Sequence, residues 1–148
     1  MLGPIATLIV GLAVVFIAWQ QWRVSHAKLR LDLFDRRYKV YEATRKFLAG
    51  IMSEATFSDS QLFTFYAGTS DAEFLFDSEV LDYLTQIRKR AVDMRLKNKL
   101  WQSQQGEERT RLIEAEHEHL MWLTEQLTGA SKVFAPYLSY ANIKSKLL

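Results

Sequence analysis

The chain has 148 residues, 24% of them charged, with a formal net charge of +2 and no cysteine. Without cysteine there is no disulfide framework, no thiolate metal site and no cysteine nucleophile. Setting aside one membrane span leaves about 125 residues, enough for one domain around one core, and the recurring aromatic and aliphatic residues exclude a disordered chain.

Residues 1–22 carry no charged side chain, and Arg23 opens a stretch dense in Lys and Arg. Pro4 to Trp19 contains nine Leu, Ile, Val or Phe among 16 residues. With Leu2, Gln20, Gln21 and Trp22 it nears the ~20 residues needed to cross hydrocarbon. At about 0.3–0.6 kcal/mol each, those nine favour insertion by roughly 3–5 kcal/mol before polar terms are subtracted. Residues 1–22 are therefore predicted to be a transmembrane anchor. Trp19, Trp22, Arg23, Lys28 and Arg30 form its interfacial belt, in contact with membrane lipid. The competing reading is a cleaved signal peptide, with Ser25-His26-Ala27 as the cleavage site. No basic side chain precedes the apolar run and the site lies beyond two Trp and an Arg, so retention is expected. With the basic residues on the C-terminal side, the positive-inside bias places the N-terminus outside and the domain in the cytoplasm, naturally at a bacterial inner membrane. Gly3, Thr7 and Gly11, four apart, are a candidate self-association line.

Charge is segregated along the rest of the chain. Residues 23–46 are net +5, 47–87 are net −7 with no Lys or Arg, 88–111 are net +5, and 112–148 are net −1. Blocks of alternating sign suit helices that attract one another, and the first basic block also suits anionic headgroups.

From Val24 to about Glu54 apolar residues keep a helical period. Leu33, Val40, Ala43, Phe47 and Ile51 line one side, widened by Leu31, Phe34, Tyr38, Tyr41 and Leu48. No breaker separates this helix from the span, so residues 4–54 are expected to be one helix. Ser58-Asp59-Ser60-Gln61 and Ser70-Asp71-Ala72-Glu73 each match a capping box, bracketing a short helix that stops at Gly68. After Asp77-Ser78 a longer helix runs to about Trp101, with Leu81, Leu84, Ile87, Ala91 and Met94 facing inward. The last helix starts near Glu107, shows Leu112, Leu120, Leu123 and Leu127 on one face, and ends before Pro136. The predicted fold is all-α: a transmembrane helix continuing into a small antiparallel bundle over residues 23–138, followed by a tail at 139–148.

Few constellations point to chemistry. Glu114 with His117 and Glu116 with His119 have the E-x-x-H spacing of carboxylate-bridged metal bundles, but such a site needs a second copy on another helix. The remaining histidine is His26, beside the span. The serines fall at caps and turns with no G-x-S-x-G, and no glycine-rich phosphate loop is present. Catalytic, cofactor and metal residues are accordingly expected to be none. Arg36-Arg37-Lys39 and Arg88-Lys89-Arg90 are expected to pair with Asp71, Glu73, Asp77 and Glu79 or lie against lipid rather than bind nucleic acid. Phe74, Leu75 and Phe76 form an apolar run at a helix junction, read either as three core residues or as a docking patch.

Residues Leu29–Leu48, LRLDLFDRRYKVYEATRKFL, with the runs Asp71–Phe76 and Lys132–Tyr137, resemble stretches of a group of uncharacterised bacterial proteins. The resemblance covers roughly residues 29–138. It implies a small helical domain, often behind an N-terminal anchor, and implies no catalytic or binding residue. The expected role is therefore non-enzymatic: a single-pass membrane protein whose bundle binds another protein or its own copy. The alternatives are a membrane-perturbing effector or stress regulator and, more remotely, a metal-dependent helical-bundle enzyme.

Overall fold

Residues 3–139 are described by the computed structural model, and among them five α-helices and no strand are formed. They are α1 (Gly3–Glu54), α2 (Asp59–Gly68), α3 (Ala72–Leu75), α4 (Ser78–Trp101) and α5 (Gly106–Leu138). The predicted tail lies, from residue 140 onward, outside the described residues. The chain divides into two compact units, Met1–Asp35 and Arg36–Leu148. That boundary is 13 residues beyond Trp22, where the change in charge alone places it.

In the first unit α1 exposes its side chains from Thr7 onward, with His26 and Phe34 half-buried. It contains one segment long and apolar enough to cross a membrane, with a mean hydropathy of 1.4 and none of it buried. The apolar stripe predicted along the charged part of α1 is buried only in the second unit. Val40, Phe47, Leu48 and Ile51 are core residues, whereas Leu31, Leu33 and Tyr38 are exposed.

The second unit is an up-and-down bundle whose second leg is broken into α2 and α3. Phe47 of α1 stacks flat on Phe65 of α2, with centroids 4.6 Å apart and planes 7° off parallel. Tyr41 meets Phe134 of α5 at 5.5 Å, and Phe76, just after α3, meets the same ring edge-on at 5.3 Å. The α4–α5 pair is an antiparallel hairpin. The Tyr83 hydroxyl near the start of α4 donates to the Gln126 carbonyl at 2.8 Å, and the Asn98 amide near its end donates to Glu116 at 2.8 Å. Phe65, Phe134, Leu48, Ile51, Leu84, Ile87, Leu123 and Val80 fill the centre, each contributing about 1.5–3 kcal/mol of burial. Val80 and Phe134, which the sequence pattern does not name, are buried, whereas Leu81, Leu120 and Leu127, which it does, are only half-buried.

The helix ends show where local signals win and lose. At Ser58 both capping-box bonds form: Gln61 N–H donates to Ser58 Oγ at 3.1 Å, and Ser58 N–H donates to Gln61 Oε1 at 2.7 Å. At Ser70 the predicted box does not form. The N-cap of α3 is Asp71, which puts Glu73 at the second helical position, one short of the reach a box requires. Ser70 Oγ donates instead to the Ala67 carbonyl at 3.0 Å. Nor does α5 stop before Pro136; it carries the proline in its last turn and ends at Leu138. A proline this late removes only one intrahelical bond, and Ser139 N–H still donates to Ala135 at 3.0 Å. Tyr137, 5.2 Å from the Phe76 ring, pins the extra turn to the body.

Two positions make the packing testable. Ala55, which ends α1, has φ 54°, and its N–H donates to the Ile51 carbonyl at 2.8 Å. A left-handed residue at this cap is normally glycine, because a Cβ there crowds the carbonyl. Ala55→Gly should stabilise the bundle by about 0.5–1 kcal/mol, read as a higher urea midpoint in detergent-solubilised protein. Gly68 lies where α2 crosses α1, and a Cβ built on it would sit 2.6 Å from Ala43 Cβ. Gly68→Ala should destabilise by about 1–3 kcal/mol, with most of the loss recovered by adding Ala43→Gly.

Candidate functional site

The predicted interfacial residues lie together on α1. Trp19 and Trp22 are both exposed, the Arg23 guanidinium lies 5.0 Å over the Trp19 ring, and Trp22 contacts His26 edge-on at 4.4 Å. Lys28 and Arg30 are exposed on the following turns. An indole with its apolar body on one side and a cation at its face suits the boundary between hydrocarbon and headgroups. Near the N-terminus, Thr7 Oγ1 donates to the Gly3 carbonyl at 2.9 Å, which satisfies the hydroxyl within its own helix. Open space surrounds Gly11.

In the bundle the arginines behave differently from the charge pattern. Arg37 donates from Nε to the Leu75 carbonyl at 3.0 Å and lies 5.6 Å over the Tyr137 ring. Arg88 donates to the Thr69 carbonyl at 3.1 Å and to its hydroxyl at 2.6 Å, over the face of Tyr66. Arg95 donates to the Phe57 carbonyl at 3.2 Å and pairs with Asp59 at 2.6 Å. Arg90 covers Trp122 at 4.9 Å. The predicted pairing of Arg37 and Arg88 with Asp71, Glu73, Asp77 and Glu79 is thus replaced by carbonyls and aromatic faces. A guanidinium fork matches a carbonyl at a helix end and stacks on a ring at the same time. The buried Nε atoms of Arg88 and Arg95 have no hydrogen-bond partner among the described residues; both guanidinium groups lie about 6 Å over rings, Phe65 and Phe57.

Phe74, Leu75 and Phe76 separate, which corrects both readings of the run. Phe74 is 79% exposed and Phe76 only 7%, with Leu75 half-buried between them. One short turn of helix points successive side chains about 100° apart, so three neighbours cannot share one environment. Phe63 and Tyr66 on α2 and Val92 and Leu96 on α4 are also exposed, so the outward apolar residues of this unit extend well beyond the junction.

The E-x-x-H spacings resolve into structural roles. Glu114, His117 and Glu118 are exposed, and no group of three or more candidate metal ligands converges among the described residues. Glu116 accepts from both Asn98 and the Trp101 indole N–H, closing the α4–α5 turn. The sequence marks Glu116 only as a candidate metal ligand and does not mark the buried Thr44, which donates to the Val40 carbonyl at 2.9 Å; both lie in phase with inward residues and carry polar groups. Burial raises the Tyr83 hydroxyl pKa above its usual value, which keeps it a neutral donor. Tyr137 is raised as well, by desolvation and by the bond it donates to Asp77. An open groove of about 300 Å³ between α1 and α2 is lined by Lys39, Glu42, Lys46, Gln61 and Thr64 above Phe47 and Phe65.

Set against known proteins, the chain matches no family model, no curated protein and no solved structure.

The split between Phe74 and Phe76 gives a direct check. Phe74→Asp should leave stability within about 0.5 kcal/mol of the parent, whereas Phe76→Ala empties the space packed against Phe134 and Tyr137 and should cost about 3 kcal/mol or more. Denaturation midpoints of the two variants in detergent read the difference.

Proposed function

We propose that this chain is a single-pass, membrane-anchored protein whose helical bundle works by binding protein at the cytoplasmic face of the membrane, not by catalysis. The observation that carries the proposal is the first unit of α1: an uncharged apolar run with exposed side chains, closed by Trp19, Trp22 and Arg23. In water that exposed surface is unfavourable at about 25 cal/mol per Å²; in hydrocarbon it is the solvent-matched face of a spanning helix. Basic residues on the C-terminal side alone support an orientation with the bundle inside.

Support for a binding role comes from how the bundle uses its polar groups. Arg88 with Thr69, and Glu116 with Asn98 and Trp101, are taken up in bonds that fasten one helix to another, and the buried Thr44 hydroxyl is satisfied within its own helix, while Phe63 and Phe74 stand outward. A span confines encounters to the membrane plane and raises the effective concentration of any partner held there.

Alkaline carbonate extraction of bacterial membranes should leave the full-length chain in the pellet, with its mature N-terminus upstream of Ala27. A cytoplasm-dependent reporter fused after Leu148 should be active. Recovery of full-length chain in the soluble fraction without detergent, or a reporter active only outside, would refute the anchor or its orientation respectively.

A further inference from the structure

Between Arg23 and Asp35 the first unit is rich in charge, yet Val24 and Leu31 are 65% and 61% exposed. These two residues are seven apart, and steps of seven toward the N-terminus reach Ile17 and Val10. Three residues after each of the four stand Ala13, Gln20, Ala27 and Phe34. The two rows have the 3–4 spacing of the a and d positions of a heptad. Within the span every neighbour is apolar and the phase carries no information. In residues 23–35, where Arg23, Lys28, Arg30, Asp32 and Asp35 surround it, it does. A strict seven-residue repeat drifts by about 20° per heptad on a straight helix and stays on one face only when helices supercoil. The other exposed leucines of this stretch, Leu29 and Leu33, fall outside both rows: Leu29 steps by seven to Arg36 and Leu33 to Val40, while Phe34 of the seam leads on to Tyr41 and Leu48, so the seam runs into the bundle core at its C-terminal end.

Resting on the anchor proposed above, we infer that a second copy of this chain covers the Val24–Leu31 row, forming a parallel, in-register, two-stranded coiled coil along the first unit. Two anchored copies enter from the same side of one membrane, so their helices run parallel. In that arrangement a residue at g faces the e position five residues later on the other helix. Arg30 at g then meets Asp35 at e, opposite in sign and both exposed; an antiparallel pairing would not bring them together. The preceding pair, Arg23 with Lys28, is like-charged and lies at the depth of the headgroups, where Arg23 already rests on Trp19. Gln20 is the one polar residue in the two rows, placed to bond its own copy through the side-chain amide and so hold the register. The Gly3, Thr7 and Gly11 line steps by four and leaves this seam within one turn.

Because the chain has no cysteine, single-cysteine scanning from Val24 to Asp35 in isolated membranes reads the seam directly. Oxidation should give disulfide-linked dimer several-fold more at Val24→Cys, Ala27→Cys, Leu31→Cys and Phe34→Cys than at Ser25→Cys, Leu29→Cys or Leu33→Cys. Arg30→Glu should reduce linkage at Leu31→Cys, and Arg30→Glu combined with Asp35→Arg should restore it. A flat profile, maxima at Leu29 and Leu33, or no restoration overturns the inference. Carbonate extraction of the same membranes separates the two failures. Chain released by carbonate removes the anchor and the seam together; chain retained without the heptad phase removes the seam alone.

Discussion

Arginine side chains reaching across to the second leg of the bundle are what the rest of the domain depends on. α2 has ten residues and α3 four, while isolated helices below about 12–15 residues are marginal in water. Neither segment has the length to hold its own shape, yet together they must return the chain from the end of α1 to the start of α4. Arg95 fixes the entry at Phe57 and Asp59, Arg88 takes the carbonyl and hydroxyl of Thr69 where α2 ends, and Arg37 takes the Leu75 carbonyl where α3 ends. Carbonyls at helix C-termini lack intrahelical partners and carry partial negative charge. A bond from a charged donor is worth about 1.5–3 kcal/mol, so each of the three matters against a domain stability of about 5–15 kcal/mol.

With the short leg fastened, the aromatic core follows. Phe65 can stack on Phe47 because α2 is held antiparallel to α1 at the crossing where Gly68 meets Ala43. Phe76 can turn its edge to Phe134 because α3 is anchored beside Arg37, whose guanidinium also lies 5.9 Å over the Phe76 ring. The same cations therefore serve the backbone on one side and ring faces on the other.

The helices, their order and most of the core were legible because apolar period is a strong and local signal. Leu84, Ile87, Ala91 and Met94 recur in phase along α4, and all four are buried. Arg37 was not legible as an interior residue, although it stands three before Val40 and seven before Thr44 on the inward face. Period-reading assigns a charged side chain to solvent, and only the tertiary structure shows a carbonyl and two rings waiting for it. The Ser70 box failed for a related reason: its residues are right, but the turn after Gly68 moves the cap by one. Phe74 and Phe76 differ because a single helical turn, too short to show a period, decides which faces inward. Trp19, Trp22 and Arg23 lie exposed along one helix, so their arrangement could be read without any tertiary contact.

The choice of arginine over lysine at the short leg has a physiological corollary. A guanidinium keeps its proton at any pH a cell attains, and the groups that Arg37 and Arg88 grip, two peptide carbonyls and a threonine hydroxyl, do not titrate. Acidification thus has no handle on the bonds that Arg37 and Arg88 make. A molecule that loosened the Arg37 and Arg88 contacts would have to compete for those carbonyls or for the ring faces.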